Sequence, residues 1–573
     1  MIADANPSDA AVFNLVVLAA VVGVGLALRR RPPPAGTACG SAEWATDRLL
    51  GRWGLVGEAS DGVVIGRTLG GKLLRLVDYT NILLIGGTGS GKGVGIVVPN
   101  LLSYARGSLV VFDPKGDLWA FAARRAALGQ KVVRVAPFAG GDGWNPLDVI
   151  VPGPLLVDQA RGVAESLIVR GSEPDPHWNA KAVTVCTAIL TLVLSRMEGA
   201  ERSLSSLQDI ASDPEMIRAA AAQLRDMGGI PARLGSQLLT LFEPSEALTR
   251  EGAGVLSTLG RHLSFLDSEL VARSVEAVGG FDPRELLAPG PGVTVVLQIP
   301  VELLEAQKGL LRCWISTLIR VVGSGGDEGR REVLFLLDEA SALGGLDALR
   351  EALVRGRSAG SRLILVYQSE SQVRNAFKDE PTLIHDNCGT HVHLGASGYE
   401  HAERLSKSLG EFTHWVGSHG ENDGWTRGSG GDGGRQTSGG HSSTLSRQGR
   451  PLLRAEEILT LGEEYLIAWH RGLPAPILGH RIRWYADPAF NPDSRRPRRR
   501  KPSPQGWVMA VLLLALAGLA VRAKVLGHGY WQPEPGEGVM TTGKDRRGHP
   551  GGDGPSGTQG AAERRQPVPR EHR

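Results

Sequence analysis

Residues 81–100, NILLIGGTGSGKGVGIVVPN, constrain the fold of this chain more than any other stretch. The apolar run 81–85 reads as a short buried strand. Gly86, Gly91 and Lys92 then match G-x-x-x-x-G-K, the Walker A spacing. Four glycines between 86 and 91 let successive backbone N–H groups turn inward around an anion. The helix opening at Lys92 adds its positive end, and the lysine reaches the outer phosphates. The candidate ATP-binding residues are therefore Gly86, Gly87, Thr88, Gly89, Ser90, Gly91, Lys92 and Gly93. Gly93 departs from the general pattern, because Ser or Thr there usually offers a hydroxyl to magnesium. The plain alternative is a glycine-rich turn between a strand and a helix.

A second element bears on that choice. The segment EVLFLLDEASALGG is a strand of bulky apolar residues ending in Asp338-Glu339. In P-loop ATPases an aspartate at that strand end orders Mg2+, and the adjacent glutamate polarises the attacking water. Asp338 is thus the candidate metal ligand and Glu339 the candidate catalytic base. The competing reading is an acidic N-cap of the next helix. The following strand, 363–367, leads into Gln368, a position suited to a sensor of the γ-phosphate and equally to an ordinary strand-end polar residue. Asp113 and Lys115 end the strand after the P-loop helix, near the phosphates or in a simple loop. Arg355, Arg357 and Arg362 are candidates for an arginine supplied by a neighbouring subunit.

Strand and helix signals alternate through 109–135 and again from 293, which predicts a parallel α/β sheet. Pro99 is expected to end or kink the helix after Lys92. Residues 155–287 show helical periodicity with few strand signals and read as an inserted all-α domain. Its longest run, 177–197, is too short and interrupted in its apolar part for a membrane span. Residues 40–80 read as a small β-rich lead-in. Between 417 and 449 the composition falls largely to Gly, Ser, Asp and Arg, which predicts a flexible insertion. With 573 residues the chain is expected to hold several units. Four scattered cysteines with no C-x-x-C pair exclude a disulfide framework and a cysteine zinc site, and fit a reducing compartment.

Both ends carry apolar runs. Residues 11–28 are apolar except Asn14 and are followed at once by Arg29, Arg30 and Arg31. Residues 506–521 follow a run, 495–501, with six basic residues in seven. The positive-inside rule places the body in the cytoplasm and both termini outside, with the basic run marking topology and lipid contact. The tail, 522–573, reads as disordered.

In this order the motifs resemble one family, the type IV secretion coupling proteins or TraG-type conjugal-transfer ATPases. The resemblance covers residues 40–490. It rests on GSAEWA (40–45), GGTGSGKGVGIVVPNLL (86–102), VVFDPKGDLW (110–119), LLDEASALGGL (336–346), VYQSESQ (366–372) and AERLSKSLGEFT (402–413). It implies a membrane-anchored, RecA-like P-loop ATPase domain, residues 40–154 and 288–490, with the inserted all-α domain between its parts; the two apolar runs, 11–28 and 506–521, add transmembrane helices at the ends. It implies ATP and Mg2+ as cofactors and a homohexamer in the bacterial inner membrane. The implied partners are relaxase-bound single-stranded DNA, secreted protein substrates and the inner-membrane channel components. A GKG loop is shared by many members, so Gly93 marks a subtype, and Thr88 or Ser90 is left to offer the hydroxyl to magnesium. One departure stands out: members usually carry two N-terminal membrane helices, whereas this chain has one apolar run at each end. The alternatives are a DNA pump of the chromosome-segregation type and a docking receptor that uses ATP only for assembly.

Overall fold

The computed structural model describes residues 36–494, apart from 58–61, 170–175, 326–330, 356–357, 359, 379 and 427–435. The apolar runs 11–28 and 506–521, the basic run 495–501 and the tail 522–573 lie outside the described residues, as does Arg357.

The strands are β1 (Val63–Thr68), β2 (Leu73–Leu76), β3 (Asn81–Gly86), β4 (Ser108–Phe112), β5 (Lys131–Val135), β6 (Val293–Leu297) and β7 (Val333–Asp338). They continue with β8 (Ser361–Tyr367), β9 (Cys388–Leu394), β10 (Glu411–Thr426), β11 (Gln436–Pro451), β12 (Tyr465–His470) and β13 (Ile477–His480). Eleven of them form one sheet in the order β2-β1-β13-β12-β9-β3-β8-β7-β4-β6-β5. From β9 to β5 every pairing is parallel. The four strands beyond β9 extend that sheet antiparallel.

Both faces of the parallel part are covered, which is why its strands read as continuous apolar runs rather than alternating ones. Ile82 and Leu84 pack on one side with Ile96, Val97 and Leu101 of the P-loop helix. Leu83 and Ile85 point to the other side and join the core that holds Trp314 and the helical insertion. Each such side chain, fully withdrawn from water, contributes about 1.5–3 kcal/mol.

Among the described residues, seven α-helices run from Leu156–Leu167 to Glu269–Val275, with a single isolated bridge, Phe242 to Leu248, as the β pairing among them. His177–Arg196 is the one described helix long and apolar enough to cross a membrane, and most of its apolar window is buried in the protein. Its C-terminal half is enclosed on all sides, and the hydroxyls of Thr187 and Thr191 bond back to the Val183 and Thr187 carbonyls at 2.7 Å. It is the core helix of the insertion.

One expectation needs correction. The segment 417–449 was expected as a flexible insertion, yet β10 and β11 pair antiparallel from Glu411↔Pro451 to Thr426↔Gln436. A two-stranded ladder satisfies its main chain through paired N–H and C=O groups without needing apolar composition, so composition misreads it. The base of the ribbon is fastened to the chain's start. Ser41 bridges Phe412, and Thr413 Oγ1 accepts from the Cys39 N–H at 2.9 Å. Gly40, with φ 145°, is required there, because a Cβ would meet the Glu411 carbonyl oxygen at 2.3 Å.

Pro99 kinks its helix rather than ending it. The first turns, Gly93–Val97, are widened so that the Val98 N–H bonds the Gly93 carbonyl, five residues back, and Val98–Ser103 continues as α-helix. Next to it Asn100 is fully buried and imitates a strand neighbour. Its Oδ1 accepts from the Val64 N–H, and its Nδ2 donates to the Val64 and Ile96 carbonyls, all at 2.8 Å. This one amide ties the P-loop helix to β1. Asn100→Ala leaves the Val64 groups buried and unpaired, so a loss of about 2–4 kcal/mol is expected, read as a lower unfolding midpoint in denaturant.

Candidate functional site

Parallel pairing sets the site. Ile85 of β3 is level with Tyr367 of β8, and Val366 of β8 with Asp338 of β7. The loop after β3, Gln368 and Asp338-Glu339 therefore leave the same edge of the sheet side by side. In open α/β sheets this carboxyl edge is where ligands bind.

Gly89 and Gly91 take left-handed φ values of 77° and 83°, which turn the loop back over itself. Gly86 is needed for close packing: a Cβ there would lie 2.5 Å from Ser90 Oγ and 3.0 Å from Leu394 Cβ. At Gly93 a Cβ would meet nothing within 4 Å, so the missing hydroxyl is not a steric exclusion. Lys92 Nζ donates to the Gly86 and Gly87 carbonyls at 2.6 and 3.0 Å. Burial lowers its ammonium from the ordinary value, against the raising influence of Asp338 and Glu339.

A cleft of about 380 Å³ opens beside the loop. Its walls are residues 89–94 and Val98 of the loop and helix, Lys115, Asp117, Leu118 and Phe121 after β4, Asp338, and Trp484. Asp338 is 7% exposed. Burial raises its carboxyl above the ordinary value, while Lys115 and Lys92 pull it down. Asp113 turns inward instead: fully buried, it accepts from the N–H groups of Gly116, Leu118 and Trp119 at 2.8–3.2 Å. Asp113 therefore shapes the turn that carries Lys115 and Asp117 to the cleft, as the simple-loop reading has it. Neither proposed hydroxyl is aimed at the cleft by a bond seen here. Thr88 Oγ1 donates to Gln368 Oε1 at 3.3 Å, and Ser90 Oγ is buried beneath the loop near Gly86.

Glu339 is one of two described non-glycine residues with positive φ, at 92°. Such backbone costs of order 1 kcal/mol and persists only when its surroundings hold it. Here Ser341 Oγ donates to its Oε1 at 2.6 Å, Gln368 Nε2 to its Oε2 at 2.8 Å, and Gln372 Nε2 to its Oε1 at 3.4 Å. Gln372 Oε1 in turn accepts the Gln368 N–H at 2.8 Å. A chain of polar contacts thus runs from Thr88 in the loop through Gln368 to Glu339.

Sequence reasoning missed Gln372, Asp117, Arg481 and the aromatic wall. Gln372 was findable, since it stands four residues after Gln368 at the start of a helix. Arg481 was not. It arrives from the far end of the chain, donates to the Ser90 carbonyl at 2.8 Å and to the Tyr465 carbonyl at 2.6 Å, and pins the loop to β12. Trp484 meets Phe121 edge-on at 4.8 Å. Of the arginine candidates, Arg362 is overturned. It begins β8, at the opposite edge of the sheet, is fully buried, and pairs with Glu332 at 3.3 Å and with the Thr80 carbonyl at 3.1 Å. Arg355 is exposed at the end of its helix.

The family described as type IV secretory system conjugative DNA transfer matches residues 45–505. The chain is similar to the conjugal transfer protein TraG of Escherichia coli, 27% identical over 79% of this chain and 77% of that protein. It is also similar to the VirD4 protein of Rhizobium radiobacter, 25% identical over 78% of this chain and 64% of that protein. Among solved structures, the plasmid coupling protein TrwB in complex with ADP and Mg2+ shares the fold, at 20% identity and a TM-score of 0.56 over 78% of this chain and 96% of that one. The TrwB complex with a non-hydrolysable ATP analogue gives 0.56 at 18% identity over 80% and 98%.

Because burial raises the Asp338 carboxyl, its charged form weighs against folding wherever it is ionised. Asp338→Asn is expected to raise the melting temperature near neutrality. The gain should shrink as pH falls toward the ordinary value of 3.8 and the wild-type acid takes up its proton. Thermal scans of both proteins across that window check the sign.

Proposed function

Because this chain belongs to the type IV secretory system family of conjugative DNA transfer proteins, we propose that it is a membrane-anchored ATPase that couples ATP hydrolysis to delivery of substrates into a type IV secretion channel. The cargo is relaxase-bound single-stranded DNA, secreted protein, or both, and the working form is a homohexamer in the bacterial inner membrane with its body in the cytoplasm. The observation that carries the reading is the juxtaposition at one sheet edge. A glycine loop with its lysine and a buried aspartate line a single cleft there, and a braced glutamate directly follows that aspartate.

The residues fit ATP and magnesium. Asp338 is a buried carboxylate flanked by Lys92 and Lys115, a setting in which a divalent cation and phosphates complete the charge balance. Bound with ATP, Mg2+ would supply the charge neutralisation that phosphoryl transfer needs. The N–H groups of residues 86–91 cradle the phosphates. Lys92 exchanges the Gly86 and Gly87 carbonyls for the outer phosphate oxygens. Asp338 would hold the metal, and Glu339 would accept the proton of the attacking water from an orientation set by Ser341 and Gln368. Gln368, bonded to Thr88 on one side and Glu339 on the other, reports the state of the loop to the base.

Glu339→Gln keeps the size of the side chain but removes the base, so hydrolysis is expected to fall about 10²–10⁴-fold with nucleotide binding retained. Lys92→Ala is expected to lose both. Assays of DNA-stimulated phosphate release, run beside mating or secretion assays, test the whole reading. Unchanged transfer with the Glu339→Gln protein overturns the motor and leaves a docking receptor.

A further inference from the structure

A second constellation lies just beyond Gln368, away from the nucleotide cleft. Glu370 opens the helix Glu370–Ala376, His393 lies on β9, and His401 lies in the first turns of the helix Tyr399–Leu409. Three separate elements thus deliver three metal-ligating side chains to one place. All are buried, at 5%, 3% and 4% exposure. One ligand atom from each lies within 4.8 Å of the other two.

The spacing is informative. His393 Nδ1 and His401 Nε2 stand 3.2 Å apart. Two nitrogens on one tetrahedral zinc, with bonds of about 2.0–2.1 Å, are separated by roughly 3.3 Å. Facing imidazole nitrogens at that distance share either a proton or a cation. The proton-sharing form is available: Ser397 N–H donates to His401 Nδ1 at 3.2 Å, which leaves the proton on Nε2. The metal-binding tautomer moves the proton to Nδ1, which gives up the Ser397 N–H contact and donates instead to Ser397 Oγ, also at 3.2 Å.

The surroundings supply the outer contacts a ligating carboxylate needs. His385 Nε2 is 3.3 Å and Arg404 Nη1 3.7 Å from Glu370 Oε2. A cavity of about 560 Å³, walled also by Trp469 and His470, gives the cation a way in and a position for water.

We propose that Glu370, His393 and His401 bind a divalent cation of the zinc class, with an open coordination position facing this cavity. Two imidazoles and a carboxylate suit zinc and its transition-metal neighbours, whereas magnesium and calcium take oxygen ligands. The site is therefore chemically separate from the magnesium of the nucleotide cleft. It stands whether or not Glu339 is the hydrolytic base.

The purified full-length chain, loaded with zinc chloride and dialysed against metal-free buffer, is expected to retain one zinc per chain by elemental analysis. Cobalt(II) in its place is expected to give the visible absorption of a four- or five-coordinate histidine site. Glu370→Gln and His401→Ala each are expected to abolish retention and that absorption while Lys92-dependent nucleotide binding persists, which certifies the fold. Substoichiometric zinc on the wild-type chain overturns the proposal. Full retention by the Glu370→Gln chain also overturns it, and that change keeps shape and hydrogen bonding if His401→Ala does not fold.

Discussion

The site depends on a buried acid at the end of a parallel strand. Asp338 can be held almost without water only because β7 sits between β8 and β4, with apolar layers on both faces. Its negative charge is tolerated there because Lys92 and Lys115 converge on it from the loops after β3 and β4. Withdrawal of a carboxylate from water without partners costs several kcal/mol. The P-loop, the turn after β4 and the end of β7 thus form one electrostatic unit. Asp113 serves that unit indirectly, since its three backbone bonds fix the turn that presents Lys115.

Strain is placed where it is useful. Glu339 adopts a left-handed backbone that most residues avoid, and three side chains hold its carboxylate in the resulting direction. The contact from Thr88 to Gln368 connects that bracing to the loop. Arg481 adds a tether from the antiparallel extension, so the outer strands bear on the loop as well. The histidine and glutamate cluster begins two residues beyond Gln368, on the same helix that carries Gln372. Occupancy there would act on the turn that positions both glutamines.

Much of this was legible in sequence for local reasons. Glycine spacing, an apolar run and a following lysine specify a P-loop because backbone freedom and charge are properties of adjacent residues. The strand ending in Asp338-Glu339 was legible for the same reason, and so was helicity through 156–275, where periodicity is a short-range signal. The ribbon was misread because main-chain pairing leaves no compositional mark in a Gly- and Ser-rich segment. Arg362 was misplaced because an arginine near the right strand says nothing about which end of the sheet it occupies.

By itself, then, the sequence determined the kind of loop, the acids at the strand end, the α/β alternation and the family. Each is encoded within a few consecutive residues. Only the tertiary structure decided strand order, and with it that Gly86, Asp338 and Gln368 share an edge while Arg362 lies on the opposite one. It alone brought Arg481 and Trp484 to a loop about 390 residues away, and it alone set His393 against His401 and Glu370. Those contacts join distant segments, and their geometry arises only when the sheet closes on its two cores.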